Sequence, residues 1–240
     1  MRLTVIGSSP AWPDPGSAQS GYLLEHEEGR LLLDCGPGVL ARLREREPWP
    51  TVDAIAITHF HLDHWGDLVP WVWGSMYLFG SAQRLPHLFV HSGGRAILEE
   101  FGERFGFADM FDRVFTVHEY DGPFVAAGFT VEPHRLPHYS LETYGFRVSG
   151  NGATLAYSGD SGPSDALVAL ARNADLFLCE ATLVAPSADG TLRGHLSAEE
   201  AVEAFRASGA RRLLLTHRPV ELALPPGLEQ VADGDTFDLG

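Results

Sequence analysis

The stretch Ala54–Leu68, "AIAITHFHLDHWGDL", places three histidines and two aspartates directly after an apolar run. The apolar run predicts a buried strand, and its end predicts a turn into a helix. Because strand side chains repeat every two residues, His59 and His61 can point the same way. Asp63 and His64 follow where the chain turns, and they can face a second centre. Imidazoles and carboxylates spaced this closely predict a transition-metal site.

Further ligands are expected at the ends of later strands, because one turn cannot complete the coordination of two metal ions. His138, Asp160 and His217 each follow a predicted strand. Loops at strand ends are where binding residues of a packed sheet gather. A carboxylate such as that of Asp160 can bridge two cations about 3.5–4 Å apart. His134 is the rival of His138, although an isolated strand histidine more often has no metal role.

The predicted elements favour an α/β chain of layered architecture. Strand patterns occur in both halves, and helices follow each set of strands. Asn151-Gly152 predicts a hairpin turn, and the segment from Trp65 to about Phe79 reads as one helix. Two sheets packed face to face with helices outside would bury these segments, which predicts an αββα sandwich. Without a low-complexity linker or repeat, residues 1–240 are expected to form a single domain.

The composition is that of an acidic globular protein. The 240 residues are 45% hydrophobic and carry a formal net charge of −15. This charge argues against broad nucleic-acid binding, which needs clustered basic residues. Cys35 and Cys179 lie in apolar contexts and are expected to be free thiols, which suits a reducing cytoplasm. With neither an export signal nor a bilayer-spanning stretch evident, a cytoplasmic protein without a membrane partner is expected.

Four motifs resemble those of the metallo-β-lactamase superfamily: "THFHLDH" (Thr58–His64), His138, "SGDSG" (Ser158–Gly162) and "LLTH" (Leu214–His217). The resemblance runs over nearly the whole chain and implies the αββα sandwich and a hydrolase that uses a metal-bound hydroxide. It also implies two divalent metal ions, zinc first, with manganese or iron fitting the same donors. The implied ligands are His59, His61 and His138 for one ion and Asp63, His64 and His217 for the other, with Asp160 as the bridge.

Glu180 and His195 narrow the resemblance to one branch. The arrangement "CEAT…GHLSAEEA" is similar to that of ribonuclease Z and cyclic-nucleotide phosphodiesterases. It implies that His195 contacts the phosphate or assists the leaving oxygen, that Glu180 orients His195, and that Asp63 positions the hydroxide. The alternative is a helix-start histidine and an ordinary acid at a strand end. A phosphodiester reaction needs a proton or hydrogen bond for the departing oxygen, which an imidazole held by a carboxylate supplies.

These residues leave three functions open. The first is a phosphodiesterase acting on a small anionic phosphodiester, cyclic phosphates included. The second is a ribonuclease Z-like endonuclease acting on tRNA 3′ ends. The interval from Tyr139 to Gly159 holds one hairpin and no tRNA-gripping arm, and Leu62 replaces the glycine common in ribonuclease Z, so tRNA is disfavoured as a partner. The third is a metal-binding sensor without catalysis, which the intact ligand set disfavours.

Three further features have two interpretations each. The loop Ser8–Ser20 is expected to border the site, either holding an anion with its backbone N–H groups or serving as a flexible connection. Arg147 could contact phosphate or be an ordinary strand residue. The group Trp65, Trp71 and Trp73 indicates either core packing or, if exposed, the interface of a homodimer.

Overall fold

The computed structural model describes residues 1–79, 85–186 and 191–240, and its strands form two sheets. The first sheet contains β1 (Arg2–Gly7), β2 (Gly21–His26), β3 (Gly29–Leu33), β4 (Ala54–Ala56), β5 (His87–His91), β6 (Thr116–Tyr120) and β13 (Thr236–Asp238). The second contains β7 (Phe124–Ala126), β8 (Phe129–His138), β9 (Leu141–Gly150), β10 (Ala153–Tyr157), β11 (Leu176–Glu180) and β12 (Leu213–Thr216). The helices are α1 (Val39–Arg46), α2 (Leu62–Trp65), α3 (Leu68–Gly74), α4 (Gly94–Glu103), α5 (Asp165–Leu170) and α6 (Ala198–Ser208).

The strand order brings several carboxyl ends to one edge of the molecule. The first sheet runs β13-β1-β2-β3-β4-β5-β6 and is parallel from β3 to β6. The second runs β12-β11-β10-β9-β8-β7, with β10, β11 and β12 parallel. Because β8 and β10 are both antiparallel to β9, they point the same way. Loops that follow β8, β10, β11 and β12 therefore start at one edge of the second sheet.

Three apolar clusters lie between neighbouring layers, one between the two sheets and one under each helix layer. This arrangement confirms the αββα sandwich. The middle cluster lies between the sheets, where Leu24 and Leu33 of the first sheet meet Phe146 and Leu155 of the second. A second cluster packs α1 to α4 onto the outer face of the first sheet. The third packs α5 and α6 onto the outer face of the second sheet. Two sheets each buried on both faces explain the near-continuous apolar runs in the parallel strands.

The predicted hairpin turn at Asn151-Gly152 is confirmed. The two residues have φ values of 50° and 77° and connect β9 to β10. A two-residue turn with both φ values positive matches the twist of the strands it joins, and asparagine and glycine tolerate that conformation best.

The segment from Trp65 to Phe79 differs from the single helix that the pattern predicts. It consists of the end of α2, the separate helix α3 and a π-helical turn, Ser75–Phe79. Pro70 explains the break, because it has no N–H to donate to the carbonyl of Gly66 four residues earlier. Among the helices of the described ranges, none combines the length and apolar character needed to cross a membrane.

The tryptophans of this segment serve mainly as core residues. Trp65 and Trp71 are buried in the outer cluster of the first sheet, and Trp73 is half-buried against Tyr77 and Phe107. Core packing is thus the correct interpretation for Trp65 and Trp71. The homodimer stays a prediction that no longer rests on these two side chains.

Candidate metal centre

The edge where the strands end gathers histidines and carboxylates into three groups that share Asp160, and the first two contain the predicted metal ligands. His59, His61 and His138 lie with Asp160, and Asp63, His64 and His217 lie with the same aspartate. Within each group, one ligand atom from each residue lies within 4.8 Å of all the others. These are the residues that the sequence motifs single out.

Asp160 lies between the two groups, with one carboxylate oxygen toward each. Its Oδ2 is 3.8 Å from the Nε2 atoms of His59 and His138. Its Oδ1 is 3.2 Å from Nε2 of His64 and 3.4 Å from Nε2 of His217. Ligands about 2.1 Å from a tetrahedral zinc ion are about 3.4 Å from one another. The spacing therefore matches one cation on each side of Asp160.

Nε2 of His138 lies 2.9 Å from Nδ1 of His61, but five other polar atoms that face this space are buried without hydrogen bonds to other described residues. They are Nε2 of His59, His64 and His217, Oδ2 of Asp63 and Oδ1 of Asp160. A buried polar atom left unsatisfied costs about 1–3 kcal/mol, so five of them in one place need a compensating partner. Divalent cations satisfy imidazole nitrogens and carboxylate oxygens together, and the donor set fits them.

The outer nitrogens of the histidines are held by hydrogen bonds that aim the inner nitrogens at the centre. His64 Nδ1 lies 2.7 Å from Asp34 Oδ2, and His138 Nδ1 donates to the carbonyl of Gly194 at 2.6 Å. His217 Nδ1 lies 3.1 Å from the hydroxyl of Ser20. A hydrogen bond of this kind fixes the tautomer and leaves the second ring nitrogen as a lone-pair donor for a metal.

Asp34 is a residue of the site that the sequence motifs do not reveal. It is fully buried, has a left-handed φ of 58°, and accepts hydrogen bonds from Thr58 and from the hydroxyl of Tyr157. Thr58 donates its hydroxyl to Asp34 and can therefore accept from Nδ1 of His59, 3.1 Å away. One carboxylate thus orients His64 directly and His59 through Thr58. Its position directly after β3 was the available signal.

Electrostatics favour an ionised Asp160 beside the imidazoles of His59 and His217, whose pKa values are lowered. Burial alone would raise the pKa of Asp160, but His217 and His64 hold that pKa well below its usual value. Burial, reinforced by nearby imidazoles, lowers the pKa of His59 well below the ordinary histidine value. Burial also lowers the pKa of His217. Neutral imidazole and ionised carboxylate are the forms that bind metals. For His64, burial would lower the pKa, but the carboxylates of Asp160, Asp63 and Asp34 raise it well above the ordinary histidine value, so His64 would lose a proton when a metal binds.

Glu180 and His195 form a pair beside the two groups. Glu180 ends β11, is fully buried, and its Oε1 lies 2.9 Å from His195 Nδ1. The same carboxylate accepts hydrogen bonds from the backbone N–H of Ser161 and from the hydroxyl of Thr182. His195 Nδ1 is 4.0 Å from Asp160 Oδ2, so the pair adjoins the aspartate shared by the two groups. His195 also precedes the capping box of α6, which is the structural role foreseen as its alternative.

The loop Ser8–Ser20 borders the centre, as its position in the sequence predicts. Ser20 contacts His217, whose backbone N–H donates to the carbonyl of Ser8. Asp233 holds the loop by accepting hydrogen bonds from Ser8, Ser17 and the backbone N–H of Ala18. These hydrogen bonds hold the loop in place near the site.

Several other candidates lie outside the two groups. His134 is half-buried on β8 and belongs to no cluster of potential ligands found within the described ranges. Cys35 and Cys179 are buried free thiols. Arg147 donates to the carbonyls of Leu170 and Arg172 at the end of α5, so it serves the fold as a strand residue.

Comparison with known proteins gives relatives along the full chain. The Mycobacterium leprae protein ML1173, named as an uncharacterized protein, is 35% identical over 262 residues, covering 100% of this chain and 89% of its own. The probable metallo-hydrolase YhfI of Bacillus subtilis is 30% identical, covering 91% of this chain and 87% of its own. The crystal structure of YhfI matches with a TM-score of 0.81 at 26% identity, over 99% of both chains.

Ribonuclease Z of Myxococcus xanthus is also similar, at 29% identity over 90% of this chain and 86% of its own. The family model for the beta-lactamase superfamily domain matches residues 29–218, a span that contains every residue of the two ligand groups. The chain belongs to the beta-lactamase superfamily.

Proposed function

We propose that the protein is a dinuclear-metal hydrolase that cleaves small phosphodiesters. The observation that carries this proposal is the His195–Glu180 pair next to Asp160, because a pair of cations alone would serve many hydrolytic reactions. One ion would be held by His59, His61, His138 and Asp160, the other by Asp63, His64, His217 and Asp160. When bound, the ions would supply Lewis-acid activation of water and neutralise the phosphate charge. We propose zinc as the metal and the cytoplasm as the location, which the buried thiols of Cys35 and Cys179 suit.

In this proposal, His195 assists the leaving oxygen. Because Nδ1 faces the carboxylate of Glu180, the imidazole donates there, and Nε2 would be the nitrogen that acts on the leaving oxygen. Glu180 is held by further donors from Ser161 and Thr182, so it keeps the ring in one orientation. A positioned imidazole that gives a proton to a departing alkoxide speeds the reaction by about 10²–10⁴-fold. Asp63, whose Oδ2 is 3.4 Å from His64 Nε2, would orient the attacking water.

The charge distribution favours a small substrate over tRNA. The chain contains no lysine, and the loops after β4, β8, β10, β11 and β12 contain only two arginines, Arg193 and Arg218. Arg193 pairs with Glu200, and Arg218 is buried and donates to the carbonyls of Ala181 and Ala223. Binding along a polyanion needs many Lys or Arg contacts to phosphates. For a single phosphodiester, the two proposed cations alone would neutralise the negative charge.

A tRNA endonuclease remains the second candidate, because a ribonuclease Z is among the relatives. Both candidates share phosphodiester chemistry, so the same His195–Glu180 pair would serve either one. The sensor without catalysis is disfavoured by the complete ligand set.

The deciding experiment compares His195→Ala with wild type on substrates of different leaving groups. We expect turnover of a cyclic nucleotide, whose leaving group is an alkoxide, to fall about 100-fold or more. Turnover of bis(p-nitrophenyl) phosphate should fall much less, because p-nitrophenolate departs without a proton. Metal content should stay unchanged, and His134→Ala is the matched control. Specific cleavage of a precursor tRNA without turnover of small diesters would favour the endonuclease. Turnover of neither would favour the sensor.

A further inference from the structure

Tyr139 borders the metal centre directly, although none of the motifs includes it. Its ring centroid is 4.9 Å from that of His138 and 5.6 Å from that of His195. The rings of His138 and His195 are themselves 4.9 Å apart, so the three rings form a triangle. Tyr139 is 39% exposed, whereas His138 is fully buried. The tyrosine therefore forms part of the site wall that solvent, and hence a substrate, can reach.

The backbone holds this ring in place. Tyr139 lies in the short turn between β8 and β9 with a left-handed φ of 50°, a conformation that costs energy for a residue other than glycine. Its N–H donates to the carbonyl of Arg193 at 3.2 Å. A Cβ added to Gly194 would overlap the tyrosine ring, so the ring rests on the backbone next to His195. A ring fixed in this way is preorganised for a ligand.

Two exposed residues next to members of the metal groups are apolar. Leu62, between His61 and Asp63, is 59% exposed. Leu141, which pairs with His138 in the β8–β9 register, is also exposed. Isolated exposed leucines are common, but here both adjoin residues of the metal groups. With Tyr139, the two leucines thus offer apolar and aromatic surface to the parts of a substrate beyond its phosphate.

We propose that Tyr139 is a specificity-determining residue that stacks on an aromatic or heterocyclic group of the substrate. The substrate class is then a phosphodiester that bears an aryl or nucleobase group, in preference to a dialkyl phosphodiester. This inference rests on the proposed function, since it assigns a partner to the non-phosphate part of the same substrate. Stacking of a base on an aromatic side chain typically contributes about 1–3 kcal/mol, equivalent to roughly five- to 150-fold in affinity.

The primary test measures binding rather than turnover. Phenylphosphonate and methylphosphonate carry the same anionic group and differ in the aromatic ring. Titration calorimetry on the metal-loaded protein should give about tenfold tighter binding of phenylphosphonate to wild type. Tyr139→Ala should abolish that preference, and Tyr139→Phe should keep it because the ring remains. No preference in wild type, or a preference that survives in Tyr139→Ala, would overturn the proposal.

A kinetic test uses two diesters with the same leaving group. Phenyl p-nitrophenyl phosphate and ethyl p-nitrophenyl phosphate both release p-nitrophenolate. We expect Tyr139→Ala to raise KM about tenfold for the phenyl diester and to leave KM for the ethyl diester and both kcat values within about threefold. Equal losses on both substrates would mean that the substitution disturbs His138 or His195, and would overturn a role in specificity.

The two tests separate this proposal from the proposed function. If wild type hydrolyses neither diester but prefers phenylphosphonate through Tyr139, the phosphodiesterase assignment fails and the aromatic subsite stands. If wild type hydrolyses both diesters and Tyr139→Ala changes neither KM, the enzyme assignment stands and the subsite fails. Metal content and the unfolding temperature of each variant show whether the centre and the fold are intact.

Discussion

At the scale of single residues, the proposed metal centre includes side chains that orient the candidate ligands from behind. Asp34 accepts from His64 and, through Thr58, steadies His59. Outer partners of metal-binding histidines typically contribute 10- to 100-fold in metal affinity. We expect Asp34→Ala to weaken metal binding by that factor, as measured by competition with a chromophoric chelator.

Asp109→Ala is the control for this prediction. Asp109 is an exposed aspartate paired with Arg113, away from the ligand groups. Its removal should leave metal affinity at the wild-type value. Equal metal affinities of wild type, Asp34→Ala and Asp109→Ala would show that His64 keeps its orientation without Asp34.

The ligand groups and their orienting partners differ in how far the sequence reveals them. His59 to His64 stand out because four donor side chains occur within six residues, and Asp160 and His217 because each ends an apolar run. Asp34 and Ser20 offer one polar side chain each and no spacing pattern. Their roles arise only when β3 packs beside β4 and when the Ser8–Ser20 loop reaches His217. Such long-range contacts leave no spacing pattern, and the position of Asp34 after β3 is the one local signal.

At the scale of elements, the turn after β3 packs closely on the ligand-bearing turn after β4. Cys35 donates its N–H to the carbonyl of His64, and a Cβ at Gly36 would overlap the backbone carbonyl of Asp63. We expect Gly36→Ala to push Asp63 and His64 out of position and to lower metal stoichiometry. Inductively coupled plasma mass spectrometry on purified protein would measure the loss.

Gly122→Ala provides a matched control, because it adds the same methyl group. A Cβ at Gly122 would have no neighbour within 4 Å among the described residues. This variant should keep the wild-type metal content and unfolding temperature. A Gly36→Ala protein with full metal content would mean that the two turns can separate without cost to the site.

The Ser8–Ser20 loop depends on one aspartate near the end of the chain. Asp233 accepts hydrogen bonds from Ser8, Ser17 and Ala18 and has a side chain only 12% exposed. Hydrogen bonds to a charged group contribute about 1.5–3 kcal/mol each, not additively. We expect Asp233→Ala to lower the free energy of unfolding by about 2–3 kcal/mol in urea denaturation. Limited proteolysis should then cut first within the loop.

Glu229→Ala is the corresponding control. Glu229 is a mostly exposed acid that pairs with Arg212. Exposed ion pairs contribute about 0–1 kcal/mol, so this variant should unfold almost like wild type. An Asp233→Ala protein as stable and as protease-resistant as this control would show that the loop is held by other contacts.

Element boundaries were less predictable than element types. The Asn151-Gly152 turn follows from the φ values these residues tolerate. The apolar pattern after His64 continues without a break, but the helix divides at Gly66 into α2 and α3. The reason is that Pro70 has no N–H to donate to the carbonyl of Gly66. The strand β13 has only three residues, "TFD", and depends on pairing with β1. A segment so short carries too little pattern to be recognised.

At the scale of the whole molecule, strand patterns in both halves of the chain predict two sheets. The strand order within each sheet could not be predicted from these patterns, because strand pairing joins residues that are distant in the sequence. The pairing of β13 with β1 is an example. The order matters for function. It brings His59 from the first sheet together with His138, Asp160 and His217 from the second. The proposed metal ions would therefore connect the two sheets.

This connection predicts that metal removal destabilises the whole protein. Metal that binds only the folded chain stabilises it by about 2.7 kcal/mol at a concentration 100 times its Kd. For a chain of this size, each kcal/mol corresponds to about 2–4 °C, so chelation should lower Tm by about 5–10 °C in scanning calorimetry. Asp160→Ala removes the residue shared by both groups, and chelator should then change Tm by less than about 2 °C. A wild-type Tm that is the same with and without chelator would mean that burying these polar atoms without a metal does not lower the stability of the fold. Because those atoms lie at the junction of both sheets, such a result would contradict the dinuclear centre itself and not only its contribution to stability.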